Sequence, residues 1–242
     1  MNIVGATDKG IVRSVNEDGY DYGTFDDGVA WAIVCDGMGG VRGGHIASDL
    51  VLTLVSEKIK KCYNKLMPSY SFENMLLSTI TTANVIVHDR SFIDEELKGM
   101  GTTIVAAIVK EGIACIAHVG DSRLYKISGD QIEQLTKDHS LAQEMLDIGQ
   151  LTPEEFENYP KKNIITRAVG VDEKVEIDFD FATLNEGDAL VLCSDGLSNL
   201  VSESRMLEIY NENSLETLCE KYIEEANKNG GYDNITVVVM KG

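Results

Sequence analysis

Three apolar runs, Thr102 to Val109, Ile113 to Val119 and Arg123 to Ile127, follow one another with gaps of only a few residues. Gaps that short cannot hold a helical crossover, so the spacing predicts an antiparallel meander, continued by Gln131 to Leu135 after the Ser128-Gly129-Asp130 turn. The first two runs are apolar throughout, which predicts cover on both faces. Upstream, Asn2 to Thr7 reads as a strand, and Gly19 to Thr24 and Val29 to Cys35 flank Asp26-Asp27-Gly28 as the arms of an antiparallel hairpin. Downstream, Lys174 to Phe181, Ala189 to Cys193 and Ile235 to Met240 return the chain to β structure.

Helices are read from spacing. Ile46, Leu50, Val51, Leu54, Val55 and Ile59 recur at helical intervals and predict a helix over Gly44 to Cys62. A second is expected from about Phe72 to Phe92, and a third from about Ser214 to Asn229, stopped by Gly230-Gly231. Residues 138–163 differ in character: Ser140-x-x-Gln143 and Thr152-Pro153-Glu154-Glu155 look like starts of short helices, and with Lys161-Lys162 they suggest an insertion lying over the surface. Without a linker, low-complexity tract or repeat, the economical expectation is one domain over 1–242.

Forty acidic residues against 21 basic ones give a net charge of −19. That balance argues against a nucleic-acid backbone or an anionic membrane as partner, and it suits divalent cations, although a solvated acidic surface accounts for most of the carboxylates. Cys35, Cys62, Cys115, Cys193 and Cys219 are odd in number and form no CxxC pair, which points to a reducing compartment. The N-terminus lacks a signal-peptide pattern and no apolar run nears the ~20 residues a membrane span requires, so a cytoplasmic, soluble chain is expected.

The acids become informative through their positions. In VCDGMGG, Val34 to Gly40, a buried run ends in Asp36 beside glycines that let the backbone turn and let another group approach closely. Asp121 in HVGDS and Asp195 in CSDG follow apolar runs in the same manner, and Asp233 immediately precedes one. Taken singly, each is equally well a turn residue. Four in such contexts can converge at strand ends, and oxygen donors with no His or Cys at matching places suit Mg²⁺ or Mn²⁺ rather than zinc.

RSVNED at Arg13 to Asp18, DGMGG at Asp36 to Gly40, GTT at Gly101 to Thr103, VGDSR at Val119 to Arg123, LTKDHS at Leu135 to Ser140, SDGL at Ser194 to Leu197 and GYDNIT at Gly231 to Thr236 together resemble the bacterial branch of the metal-dependent protein phosphatases, the type 2C family. These motifs occur in the family's order and span nearly the whole chain. The resemblance implies an α+β fold, a four-layer αββα sandwich of two antiparallel sheets flanked by helices. It further implies that Asp36 bridges two metals, that the Gly37 carbonyl binds the first, and that Asp195 and Asp233 hold the second. Glu17 would orient metal-bound water, Asp18 and Asn234 would support the site, and Asp121 with Asp195 would form a third metal site. Arg13 would grip the substrate phosphate, and residues from about Asp138 to Asn163 would form a flap. The implied activity is hydrolysis of phosphoserine and phosphothreonine by attack of a metal-bridging water, on phosphorylated proteins opposite a serine/threonine kinase; a monomer is expected.

Physical chemistry is consistent with that assignment. Phosphate monoesters resist hydrolysis, and two metals about 3.5–4 Å apart lower the pKa of a water between them and clamp the phosphoryl oxygens. Arg13 adds a planar, permanently charged fork, although a surface arginine can equally pair with a nearby acid such as Glu17 or Asp18. Two departures from the family stand out. Met38 occupies the place where eukaryotic relatives carry a histidine, and Val41 follows DGMGG where many bacterial members carry one. A water on the metal held by Asp121 is therefore expected to protonate the leaving oxygen. Of the four histidines, His118 in its apolar strand is expected to be a hydrogen-bonded core residue. Two other readings share the fold: a phosphatase-like regulator dedicated to one phosphoprotein, and an inactive binding module, disfavoured because every metal-binding acid is present.

Overall fold

The computed structural model describes residues 1–39, 43–157, 159–161 and 163–242. Val41, at which the family's histidine is missing, and Lys162 of the lysine pair lie outside the described residues. Among the described residues, eleven strands build two antiparallel sheets. The first runs β1 (Asn2–Asp8), β11 (Ile235–Lys241), β10 (Ala189–Cys193), β7 (Arg123–Ser128), β8 (Gln131–Gln134). The second runs β2 (Asp18–Thr24), β3 (Ala30–Met38), β5 (Ile104–Lys110), β6 (Ile113–Val119), β9 (Asp178–Thr183), with the two-residue β4 (Gly101–Thr102) against the end of β3.

Period-two alternation makes the layers. Trp31, Ile33 and Cys35 point to one side of β3, where they meet Val51 and Val55 of α1 (Gly43–Cys62) and Leu76 and Ile80 of α2 (Tyr70–Ile93). Ala32 and Val34 point to the other side and join Val105, Ala107, Leu190, Leu192, Val238 and Met240 in the core between the sheets. Beyond the first sheet, Val191, Cys193, Val237 and Val239 pack on Met206 of α6 (Glu203–Glu212) and on Leu218 and Tyr222 of α7 (Leu215–Lys228). The order helix, sheet, sheet, helix is the expected αββα sandwich.

Two local expectations need correction. The run from Thr102 to Ile127 is not one meander: β5 and β6 pair with each other, but β7 leaves for the other sheet, where it pairs with β10 and β8. The switch occurs at Gly120, whose φ of +112° lies in the left-handed region that glycine tolerates. Asp121 is therefore carried on the corner between the sheets. The strand expected from Lys174 starts only at Asp178, opposite His118, because the preceding residues bend away to meet α2, where Asn84 donates to the Asp172 and Glu173 carbonyls.

The short helices over 138–163 form as their caps predict. Ser140 accepts from the Gln143 amide at the start of α3 (Leu141–Asp147), and Thr152 and Glu155 bond reciprocally at the start of α4 (Pro153–Glu157). The segment leaves and re-enters the fold at one place, with the Leu141 amide on the Ile164 carbonyl and the Thr166 amide on the His139 carbonyl. The one-turn α5 (Asp195–Ser198) and α6 were absent from the sequence reading. Ser202 before α6, with Met206 and Ile209 at helical spacing behind it, was the available signal.

Candidate active site

Asp36 stands near the end of β3, paired across the hairpin with Asp18 of β2. Strand β3 does not stop at Asp36, as the apolar pattern suggested, but runs on through Gly37 and Met38 against β4. The backbone of Asp36 is held on both sides by the GTT motif. Its amide donates to Thr103 Oγ1 at 3.0 Å, and its carbonyl accepts from Thr102 Oγ1 and the Thr103 amide, both at 2.8 Å. Thr103 Oγ1 in turn lies 2.7 Å from Ser122 Oγ, next to Asp121. These threonines carried no assigned role in the sequence; here they lock one acid and tie it to the loop of another. Thr103→Val keeps the shape but leaves the Asp36 amide unsatisfied, and it is expected to cost about 1–3 kcal/mol, read as a lowered midpoint in urea unfolding.

Gly37 admits no side chain, because a Cβ there would collide with the Gly44 carbonyl oxygen and come within 2.5 Å of the Glu17 carbonyl oxygen. The Arg13–Asp18 motif is thus threaded between β3 and α1. Its other side is pinned by Asn234, whose Oδ1 accepts from the Glu17 amide at 2.8 Å and whose Nδ2 donates to the Lys9 and Val15 carbonyls at 2.9 Å. Asn234 is therefore an organiser of the loop that presents Arg13 and Glu17.

Arg13, Glu17, Asp36, Gly37, Asp121, Asp195, Asp233 and Asn234 line one groove of about 310 Å³, together with Met38, Thr103, Asn163 and Ile165. Residues separated by most of the chain meet there because β3, the β6–β7 corner, the end of β10 and the start of β11 open onto the same end of the sandwich. Asp18 is the exception. It lies behind the groove, buried, accepting from Ser194 Oγ at 2.7 Å. Arg13 pairs neither with Glu17 nor with Asp18 but with Asp233, Nη2 to Oδ2 at 2.6 Å. A second cavity of about 290 Å³ shares Asp121 and Asp195 with the groove and extends under the 138–163 segment to Arg123, Asp138 and Phe156.

Electrostatics identify this end as strained by negative charge. Burial, then repulsion from Asp18, Asp195, Asp121 and Asp233, pushes the Asp36 carboxyl well above its ordinary value. Burial and Asp195 do the same to Asp121. Burial and Asp233 push Asp195 up to about 6, and burial raises Asp18 to about 7 against the hydrogen bonds of Thr236 and Ser194. Asp18 Oδ1 and Asp195 Oδ1 are buried with no hydrogen-bond partner. Orphaned carboxylate oxygens crowded with like charge fit a hard divalent cation. Among the described residues, no three His, Cys, Asp or Glu side chains are gathered into a ready-made cage. The fit therefore rests on donor chemistry and shared burial rather than on a closed geometry.

Sequence reasoning did not find two further groups. Arg123 grips Asp138 with Nε at 2.9 Å and Nη2 at 2.7 Å, fixing the base of the 138–163 segment to β7. His139 Nδ1 accepts from the Gly120 amide at 3.0 Å, and its Nε2 lies between Asp178 Oδ2 at 3.2 Å and Arg167 Nη1 at 3.0 Å. His118 is buried as expected, but among the described residues neither of its ring nitrogens has a partner in hydrogen-bond geometry. Its ring lies against that of His139, centroids 4.6 Å apart.

Comparison with known proteins gives a consistent picture. The sequence profile described as protein phosphatase 2C matches residues 11–236. The chain is 43% identical over 242 residues to the serine/threonine phosphatase stp of Listeria innocua, covering 97% of this chain and 93% of that protein. It is 37% identical over 241 residues to the protein phosphatase PhpP of Streptococcus pneumoniae, covering 99% and 97%. In three dimensions it resembles the serine/threonine phosphatase of S. agalactiae, with a TM-score of 0.92 at 37% identity over 100% of this chain and 99% of the other. Stp1 from Staphylococcus aureus gives a TM-score of 0.92 at 34% identity over 99% and 95%.

Proposed function

The chain belongs to the protein phosphatase 2C family and is a serine/threonine protein phosphatase of the bacterial type, and we propose that it removes phosphate from phosphoserine and phosphothreonine of other proteins in a metal-dependent reaction at the Asp36 groove. The observation that carries this reading is the convergence of Asp36, Asp121, Asp195 and Asp233 with Arg13 on one groove, where burial and mutual repulsion hold the carboxyls of Asp36, Asp121 and Asp195 above their ordinary values. Asp36, the Gly37 carbonyl, Asp195 and Asp233 would hold a pair of Mn²⁺ or Mg²⁺ ions, Asp121 with Asp195 a third, with Glu17 and Asp18 in support. Such a pair supplies a water of lowered pKa as nucleophile and neutralises the phosphoryl oxygens.

The chain's own residues do the rest. Arg13 is half exposed, its side chain at 49%, and an ion pair in that setting contributes only about 0–1 kcal/mol. A phosphate dianion can therefore take the guanidinium from Asp233 and occupy its fork with two oxygens. Met38 lines the groove and carries no proton, so the proton for the departing serine or threonine oxygen is assigned to the Asp121 side, and Asp121→Ala should shift the alkaline limb of the pH–rate profile, which the proton donor governs. Asn163 and Ile165 bring the end of the 138–163 segment to the groove wall, as a flap within a chain that we read as one domain. We further place it as a monomer in the cytoplasm, opposing a serine/threonine kinase; among the described residues no helix is long and apolar enough to cross a membrane.

Phosphate release from a phosphothreonine peptide tests the assignment of Arg13. Arg13→Ala is expected to lower kcat/KM by about 10²-fold, with Arg13→Lys restoring only part because an ammonium lacks the fork. Unchanged kinetics would remove Arg13 from the site.

A further inference from the structure

Four large apolar side chains stand in solvent on the loops that carry Arg13 and its partner Asp233. Ile11 is 66% exposed, Val12 62%, Val15 52% and Tyr232 64%. Loops usually carry polar residues at such positions, and contiguous exposed apolar surface marks contact with another molecule. These side chains are exposed because the backbone beneath them is fixed. The Ile11 and Val12 amides both donate to the Gly231 carbonyl, at 2.9 and 3.2 Å, and the Val15 carbonyl accepts from Asn234 Nδ2 at 2.9 Å.

The two loops form one surface. A Cβ on Gly231 would lie 3.0 Å from Ile11 Cγ1, and one on Gly230 would run into the Tyr232 ring, so both side chains rest on glycine backbone. Tyr232 adjoins Asp233, the partner of Arg13. The result is an apolar rim on the two hydrogen-bonded loops that carry Arg13 and its partner Asp233, none of its four side chains lining the acidic groove.

We propose that this rim binds the residues next to the phosphorylated serine or threonine, and that the enzyme prefers phosphoprotein segments carrying a large aliphatic or aromatic side chain there. The inference rests on the phosphatase reading, because it places the phosphate at Arg13. An extended segment advances about 3.3–3.4 Å per residue, and Ile11, Val12 and Val15 lie one or two residues from Arg13 along the chain. Neighbours one to three positions from the phosphorylated residue thus reach the rim. Charge narrows the occupant further: at −19 the protein repels acidic flanks and an anionic membrane, and it attracts basic flanks over most of its surface without discrimination. Apolar contact at the rim is the local feature that can select.

The test uses the Mn²⁺-loaded enzyme and three substrates: a phosphothreonine peptide with leucine flanks, the same peptide with serine flanks, and p-nitrophenyl phosphate, which is too small to reach the rim. Wild type should favour the leucine peptide by about 10-fold in kcat/KM, the scale of a few buried methylenes. The double variant Ile11→Ser with Val12→Ser, and separately Tyr232→Ser, should lose that preference through KM while turning over p-nitrophenyl phosphate at the wild-type rate. Equal use of the two peptides by wild type overturns the rim and needs no variant. A concentration-dependent dimer that the variants abolish would overturn it too, by assigning the surface to a second copy of the chain. Absence of any p-nitrophenyl phosphate turnover by wild type would instead overturn the phosphatase reading, and the rim with it.

Discussion

Asp36→Asn is expected to lower kcat/KM on a phosphothreonine peptide by about 10³-fold or more, the loss associated with removing a principal electrostatic element of a site, with little change in the fold. The side chain is nearly isosteric, and the contacts that position residue 36 are made by its backbone to Thr102 and Thr103. The strand pairing with β2 and β5 is likewise backbone-made. What changes is the charge at the centre of the acidic group, where Asp18, Asp195, Asp121 and Asp233 all act on it. An amide oxygen is a poorer donor to a hard cation than a carboxylate oxygen. Activity should therefore collapse while the circular dichroism spectrum stays that of wild type.

The same group predicts an unusual stability profile. A carboxyl whose folded pKa is raised binds protons more tightly folded than unfolded, so its contribution is complete at low pH and is lost as pH rises through the folded value. Asp18 at about 7 and Asp195 at about 6, with Asp36 and Asp121 also raised, place that loss between about pH 4 and pH 7 and above. Buried His118, pushed down to about 3 by desolvation, has the opposite sign, losing stability only as pH falls below about 6.5. Between pH 8 and 6.5 the carboxyls therefore act nearly alone, and in chelator the protein should melt higher at pH 6.5 than at pH 8.

Mn²⁺ should replace the protons. At 100 times its dissociation constant it adds about 2.7 kcal/mol, raising the melting temperature at pH 8 and flattening its pH dependence. Asp36→Asn should melt higher than wild type in chelator, through relief of repulsion, yet gain little from Mn²⁺. Stabilisation by metal that survives in the variant would place the cation elsewhere.

The parts legible in the sequence were those that depend on residue type at a local pattern. Buried runs ending in Asp36, Asp121 and Asp195, the Asp233-Asn234 pair before the last strand, and the capped helices at Ser140 and Thr152 needed only neighbours to be read. The parts that escaped depend on distant partners. Nothing near Arg13 announces that it meets Asp233, 220 residues away, nor that Thr103 holds Asp36 and Ser122 at once. The exchange of sheets at Gly120 was hidden because an apolar run is equally good as the next strand of a meander or as the first of another sheet. His118 was misjudged for a related reason: its burial followed from its neighbours, but its lack of a partner depended on what β9 and the His139 loop placed beside it.

If cations held by the Asp36 group carry the reaction, activity must follow both the metal and that carboxylate. Phosphate release from a phosphothreonine peptide is followed after chelation and again after addition of Mn²⁺ or Mg²⁺, for wild type and Asp36→Asn side by side. Neither enzyme should turn over in chelator, wild type should recover on addition of metal, and the variant should not. Turnover that persists in chelator, or an Asp36→Asn enzyme that recovers fully, would contradict it.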